Sequence, residues 1–405
     1  MIEGETAASR NWMLPTATWV TYAKRLGALC LLLEHRFYGH SQPTGNLSTS
    51  SLYYLSSRQA LADTVNFRTV IAEEMNLTSN SWVVFGGSYG GCLAVWLRVK
   101  YPNLFAAALG SSAPIQAKID FYEYLEVVQR SLAAHNRECP KVVKEASDIV
   151  VEMLKYPKNF TKLTDDFNLC HPLEINSELD RAYFLESLAG FFMDIVQYNK
   201  DNVVFEGMVN IDLLCGLMTN ASLGSPYDRY VRVIHEILQN ERYLCLSASY
   251  NQFVENLSDS YWDQKKLRSD RQWVYQTCTE FGYFQTTNSK NQPFSGFRLR
   301  LFIQQCSDIF GPEFNGVSMA QAVQSTNEFY GGRNITGSKI IFPNGSIDPW
   351  HALGIIKNIS EELPAVFMEG ESHCADMYPQ SQIDSPQLLQ AREKIFGILQ
   401  TWLMQ

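Results

Sequence analysis

The stretch WVVFGGSYGGCLAVW, residues 82–96, constrains the fold of this chain more than any other. An apolar run stops at four glycines packed around one serine, then resumes as something only a helix accommodates. A strand that turns sharply into a helix needs glycine on both sides, because side chains would collide in the cramped backbone of the turn. Ser88, at the apex, is pushed out of the fold, and its setting fits G-x-S-x-G with a strand before and a helix after. A serine hydroxyl is a poor nucleophile at neutral pH without a base to take its proton, so the turn predicts a histidine elsewhere in the chain.

In strand-turn-helix hydrolases the partners follow as an acid and then a histidine, each at the end of a later strand. KIIFPNGSIDPWHALG places Asp348 just after an apolar strand, and PAVFMEGESHCADM places His373 just after the next. His351 competes for the role of base. It lies three residues from Asp348 in one loop, and would have trouble offering one ring nitrogen to that carboxylate and the other to a distant serine. Asp376 competes for the role of acid, but its closeness to His373 raises the same objection, and a solvated surface position is expected for it. The other five histidines, His35, His40, His135, His171 and His235, precede the late strands. His373 would then deprotonate Ser88 while Asp348 holds the imidazole tautomer. An oxyanion needs two donors. The Tyr89 backbone N–H is one; Gly4 with its neighbours in MIEGE, or the Tyr38 hydroxyl, supplies the other, and the residues leave that choice open.

The rest of the chain supplies the sheet this turn requires. Trp12–Leu26 reads as a helix and Ala28–His35 as a strand buried on both faces. Helices follow at Arg58–Met75 and Tyr89–Tyr101, with strands at Trp82–Phe85 and Leu104–Leu109: the grammar of a parallel sheet with crossover helices. It returns with strands at Lys339–Phe342 and Ala365–Met368 and a helix at Ser385–Leu403. Between them helical periodicity takes over, which divides the chain into a sheet domain in two parts, 1–114 and 325–405, and a helical insertion, 115–324.

Six of the nine cysteines (Cys139, Cys170, Cys215, Cys245, Cys278, Cys306) fall in that insertion without a Cys-x-x-Cys pair, so disulfide staples are expected rather than a metal site. Cys30, Cys92 and Cys374 stand outside the cluster. Asn-x-Ser/Thr sequons at Asn46, Asn76, Asn159, Asn220, Asn256, Asn334, Asn344 and Asn358 also point to an oxidising compartment. MIEGETAASRNWML lacks the basic start and apolar core of a signal peptide. A net charge of −9 with scattered Lys and Arg excludes a nucleic-acid face, and no apolar run is long enough to span a membrane.

Seven motifs carry a resemblance to the serine carboxypeptidase S28 family: EHRFYGHS (34–41), SSRQALAD (56–63), FGGSYGG (85–91), SSAP (111–114), RQWVYQTCTEFGYF (271–284), NGSIDPW (344–350) and SHCADM (372–377). They occur in the family's order and run over nearly the whole chain. The resemblance implies an α/β-hydrolase fold, a Ser88–Asp348–His373 triad, no cofactor and exopeptidase action on peptides, in secreted or lysosomal surroundings. It further implies that Cys92, Trp273 and Trp350 line the pocket for the residue before the cut, where aromatic walls suit proline. Relatives with proline preference tend to carry Met at the place of Cys92, so a roomier pocket is expected here. Relatives also carry a signal peptide and further strands leading into a Gly-Gly-Glu-Gly loop, of which IEGE resembles a remnant. Whether cleavage proceeds from the amino or the carboxyl end stays open, as does a homodimer. Two other readings share the framework: an esterase or lipase, and a peptide-binding relative without turnover.

Overall fold

The computed structural model describes residues 1–200 and 209–404. Its centre is a sheet of four parallel strands in the order β1 (Val83–Gly87), β2 (Ala107–Ser111), β5 (Ile340–Gly345), β6 (Ala365–Met368). The register pairs Val83 with Ala107 and Gly87 with Ser111, then Ala108 with Ile340, then Phe342 with Ala365 and Gly345 with Met368. Because strand side chains alternate between faces, Ala107, Leu109 and Ile341 pack against the helices Thr18–Leu26 and Pro386–Met404. Ala108, Ile340 and Phe342 face the opposite way, into a core shared with the helix Ser88–Lys100. Parallel strands, the central two buried on both faces, with a strand-serine-helix turn at their carboxyl ends, make this an α/β-hydrolase fold.

The strand expected over Ala28–His35 does not form. Its backbone pairs over Met1–Glu3 alone, through Met1 N to Leu31 O at 2.7 Å, Leu33 N to Met1 O at 3.0 Å and Glu3 N to Leu33 O at 3.0 Å. These bonds make a single bridge, Ile2 to Leu33. Nor is the segment buried on both faces, since Leu29 is 56% exposed. Likewise the helix expected from Trp12 begins only at Thr18, after a 3₁₀ turn at Arg10–Met13.

Between β2 and β5 the chain is mainly helical. It also holds a two-stranded parallel pair, β3 (Lys118–Asp120) with β4 (Gly282–Phe284), which sequence periodicity did not suggest. The helices Glu123–His135, Cys139–Met153, Glu178–Gln197 and Pro226–Asn240 share a core rich in aromatic rings, among them Phe167, Phe184, Phe192 and Tyr230. Three disulfides staple this part: Cys139–Cys215, Cys170–Cys245 and Cys278–Cys306. The cysteines whose state the sequence left open, Cys30, Cys92 and Cys374, carry free thiols. Among the described residues no helix is long and apolar enough to cross a membrane. Of the sequon asparagines, Asn344 is buried: it is 1% exposed, with its amide donating to Ile355 O. Asn46, Asn76, Asn220, Asn256, Asn334 and Asn358 are exposed and Asn159 is half-buried.

Candidate active site

Ser88 sits where β1 ends and its helix begins, with φ at +55°, a left-handed conformation that a non-glycine residue adopts only under constraint. The glycines around it allow that constraint. A side chain on Gly86 would lie 2.0 Å from the Gly90 carbonyl oxygen, and one on Gly90 would lie 2.8 Å from Ile2 O. The turn is therefore clamped between its own helix and the Ile2–Gly4 segment. Ser88 itself stays half-buried, its neighbours Tyr89, Gly90 and Gly91 fully so.

Asp348 follows β5 as the N-cap of a 3₁₀ turn, Pro349–Leu353, where its Oδ1 accepts from Trp350 N at 3.0 Å. Its Oδ2 lies 2.9 Å from His373 Nδ1, at ion-pair distance rather than in hydrogen-bond alignment, and neither atom has another partner. Both residues are buried, Asp348 at 0% and His373 at 4% exposure. Burial alone would pull the imidazole down; the Asp348 carboxylate, helped by the Cys374 sulfur, outweighs it and holds His373 well above the usual histidine range. His351, the alternative base, instead points Nδ1 at Gly345 O, 3.1 Å away, and burial lowers its pKa.

The loop carrying His373 closes over the carboxyl ends of β1 and β2. Cys374 N donates to Ser112 Oγ at 2.9 Å, and Ser111 Oγ donates to the Asp376 carboxylate. The SSAP motif is thus the seat of SHCADM. A side chain on Gly87 would meet Cys374 Sγ at 3.0 Å, which puts this loop directly against the nucleophile turn. Asp376 was expected at the solvated surface; it is 3% exposed, and burial raises its carboxyl to about 6. Chain distance from His373 says nothing about burial, and here the loop folds inward.

The remaining expected site residues divide. Gly4 lies against the start of the nucleophile helix, since a side chain there would meet Gly90 N at 2.8 Å and the Tyr89 ring at 3.4 Å. Tyr38 is fully buried and its hydroxyl donates to Gln276 Oε1 at 2.6 Å, so its proton is already committed. Cys92, one helical turn beyond Ser88, is fully buried beside Tyr283, and burial pushes its thiol well up. Trp273 and Trp350 are joined through Phe281 and Tyr283: Trp273 lies 6.1 Å from Phe281, Phe281 stacks on Tyr283 at 5.5 Å, and Tyr283 meets Trp350 at 5.3 Å. A separate cavity of 640 Å³, lined by Leu29, Leu31, Phe67 and Trp82, includes none of the three triad candidates.

The sequence profile of the serine carboxypeptidase S28 family matches residues 1–395. The chain belongs to that family. A putative serine protease of Caenorhabditis elegans is 37% identical over 100% of this chain and 80% of its own. Thymus-specific serine protease of Mus musculus is 38% identical over 93% of this chain and 75% of its own. Lysosomal Pro-X carboxypeptidase of Bos taurus is 24% identical over 94% and 76% respectively. Among solved structures, a proline iminopeptidase of Mycobacterium smegmatis aligns with a TM-score of 0.37 at 11% identity, over 100% of this chain and 89% of that one.

For this member of a serine peptidase family, sequence reasoning passed over several side chains that build the site. Gln197 ends the helix Glu178–Gln197. Its carbonyl accepts from His373 N at 2.9 Å, and its Oε1 accepts from both Trp350 Nε1 at 2.8 Å and Tyr124 OH at 2.7 Å. Arg392, from the last helix, donates to the carbonyls of Ala375, Asp376 and Tyr378. Glu5 follows Gly4 into the same space, its carboxyl raised by burial and opposed by the charge of His373. The only signal for Gln197 was the end of an apolar helical period; for Arg392, a charge inside one.

Proposed function

We propose that this chain is a serine-type exopeptidase that trims small or unfolded peptides through an acyl-enzyme on Ser88. The observation that carries the reading is the buried His373–Asp348 pair at 2.9 Å, seated against the strained serine turn. His373 Nε2 takes the Ser88 proton as Oγ attacks the peptide carbonyl carbon, and Asp348 stabilises the imidazolium that forms. The imidazolium then protonates the leaving amine as the C–N bond breaks, and water repeats the sequence on the ester to release the acid. Tyr89 N–H is one oxyanion donor. The Gly4 segment is the second in preference to Tyr38, because it packs on the Tyr89–Gly90 backbone while the Tyr38 proton is held by Gln276.

The insertion, residues 115–324, narrows access, which favours short or unfolded substrates. Cys92, Trp273 and Trp350, with Phe281 and Tyr283 between them, form the wall that receives proline or a small residue before the cut. Three disulfides, exposed sequons and the likeness to a lysosomal Pro-X carboxypeptidase support a secreted or lysosomal setting.

A fluorophosphonate probe tests the reading: labelling of the folded protein is expected on Ser88 and is lost in Ser88→Ala. Mass spectrometry of a proline-containing peptide library then reports the end attacked and the residue preferred. A folded chain that takes no label is a binder without turnover, and one that cleaves acyl esters but no peptide is an esterase. Either outcome refutes the peptidase.

A further inference from the structure

Four of the sequence motifs converge on one buried hydrogen-bond network beneath the nucleophile turn. EHRFYGHS contributes His35 and Tyr38, SSRQALAD contributes Ser57, FGGSYGG contributes Tyr89, and RQWVYQTCTEFGYF contributes Gln276 and Glu280. None is more than 8% exposed. Gln276 is the hub. Its Nε2 donates to Tyr89 OH at 3.0 Å and to Glu280 Oε2 at 2.9 Å, and its Oε1 accepts from Tyr38 OH.

Donor and acceptor valence gives the network one arrangement of protons. Tyr89 OH accepts from Gln276, so its own proton goes to His35 Nε2, 2.9 Å away. His35 must then carry its proton on Nδ1, which donates to Arg36 O at 2.7 Å. Burial, which pulls His35 down to about 4, keeps it in that neutral form. Glu280 only accepts: from Gln276, from Ser57 N at 3.0 Å and from Ser57 Oγ at 2.6 Å. The Ser57 oxygen in turn accepts from Tyr330 OH at 2.9 Å. Glu280 thereby rests on the first turn of the helix Ser57–Glu74; burial raises its carboxyl, and the hydrogen bonds from Ser57 and Gln276, the Arg58 cation and the helix N-terminus oppose that rise. Gln276 and Glu280 come from the insertion, where the helix Asp270–Gln276 runs into a π turn at Thr277–Phe281, a backbone irregularity common at functional sites.

We propose that Gln276 and Glu280 are positioning residues that hold Tyr89, from the insertion side, so that its backbone N–H meets the oxyanion. This rests on the reading of Ser88 as nucleophile. The Tyr89 hydroxyl is fixed by Gln276 and His35, its ring packs on Phe281 at 5.2 Å and on Trp273 at 5.7 Å, and its peptide is the first after Ser88. A donor in this role must stand about 2.7–3.1 Å from the charged oxygen, so a small rotation of residue 89 disables it.

The test is the rate of fluorophosphonate labelling in Tyr89→Phe, Gln276→Leu and Glu280→Gln. In that reaction Ser88 Oγ bonds to phosphorus, fluoride leaves, the serine proton passes to His373, and the phosphoryl oxygen occupies the oxyanion position. We expect the labelling rate to fall by about tenfold in Tyr89→Phe and up to about a hundredfold in Gln276→Leu, below the loss of a whole oxyanion donor. Glu280→Gln falls in between, and every variant still labels to completion. Wild-type rates in the three variants overturn the inference. So does reduced final labelling at an unchanged rate, which is the mark of a purely structural role. If Gln276→Leu does not fold, Tyr89→Phe, which removes one oxygen atom, decides alone. A wild-type chain that takes no label refutes the peptidase reading and this inference with it, whereas a labelled wild type matched by its variants refutes only the inference.

Discussion

His373 is where burial and charge oppose each other most sharply. Buried and unaccompanied, the imidazole would titrate below its ordinary 6.5; with Asp348 2.9 Å away it titrates well above. A general base must be neutral, so activity is lost as pH falls through the raised value. The kcat/KM profile is therefore expected to show an acid limb with its midpoint above 6.5. Asp348→Asn removes the first of the influences that raise the imidazole and leaves the burial, so the midpoint shifts down from its wild-type position. The same change permits the wrong tautomer, and kcat should fall by about 10⁴-fold. A profile whose acid limb is identical in the two proteins would show that Asp348 is not the partner of the working base.

At the scale of elements, the site depends on how firmly the loop Ser372–Tyr378 is seated. On one side Ser111 and Ser112 hold it by Asp376 and Cys374 N; on the other Arg392 gathers three of its carbonyls and pairs with Asp384. Arg392 and Asp384 are 7% and 2% exposed at their side chains, so removing the guanidinium takes the buried cation away from the Asp384 carboxylate and the Arg392 hydrogen bonds away from the Ala375 and Asp376 carbonyls. Arg392→Leu should cost about 3–5 kcal/mol, the range for breaking a buried pair on one side. Denaturant unfolding measures it, and a loss under about 1 kcal/mol would mean that the loop stands without Arg392. Sequence reading located this loop by its histidine but misjudged Asp376, because burial is decided by Ser111, 265 positions away along the chain. The strands at 83–87, 107–111, 340–345 and 365–368 were legible because apolar runs and glycine turns are local signals. Ala28–His35 carried the same signal but pairs at the single bridge Ile2 to Leu33, and pairing is what no local pattern reports.

For the whole molecule, the question is whether the sheet and the insertion are one cooperative body. Gln197, Gln276 and Glu280 all reach from the insertion into the site, where their partners Trp350, Tyr89 and Ser57 lie far off in the chain. A single apolar cluster also runs from Val84, Ala108 and Ile340 of the sheet through Phe121 and Tyr124 to Phe192 and Ile237 of the insertion. Unfolding the insertion alone would strip that shared face and break the Gln276 and Gln197 contacts, so we expect one cooperative transition in calorimetry. The disulfides constrain only the insertion, closing loops of 76, 75 and 28 residues, and each is worth about 2–4 kcal/mol. Replacing both Cys170 and Cys245 by alanine should therefore lower the midpoint of the single transition and inactivate the site in step with it, although the pair touches neither Ser88 nor His373. Two resolved transitions, with labelling of Ser88 surviving the first, would show instead that the sheet keeps its nucleophile turn in order without support from the helices above it.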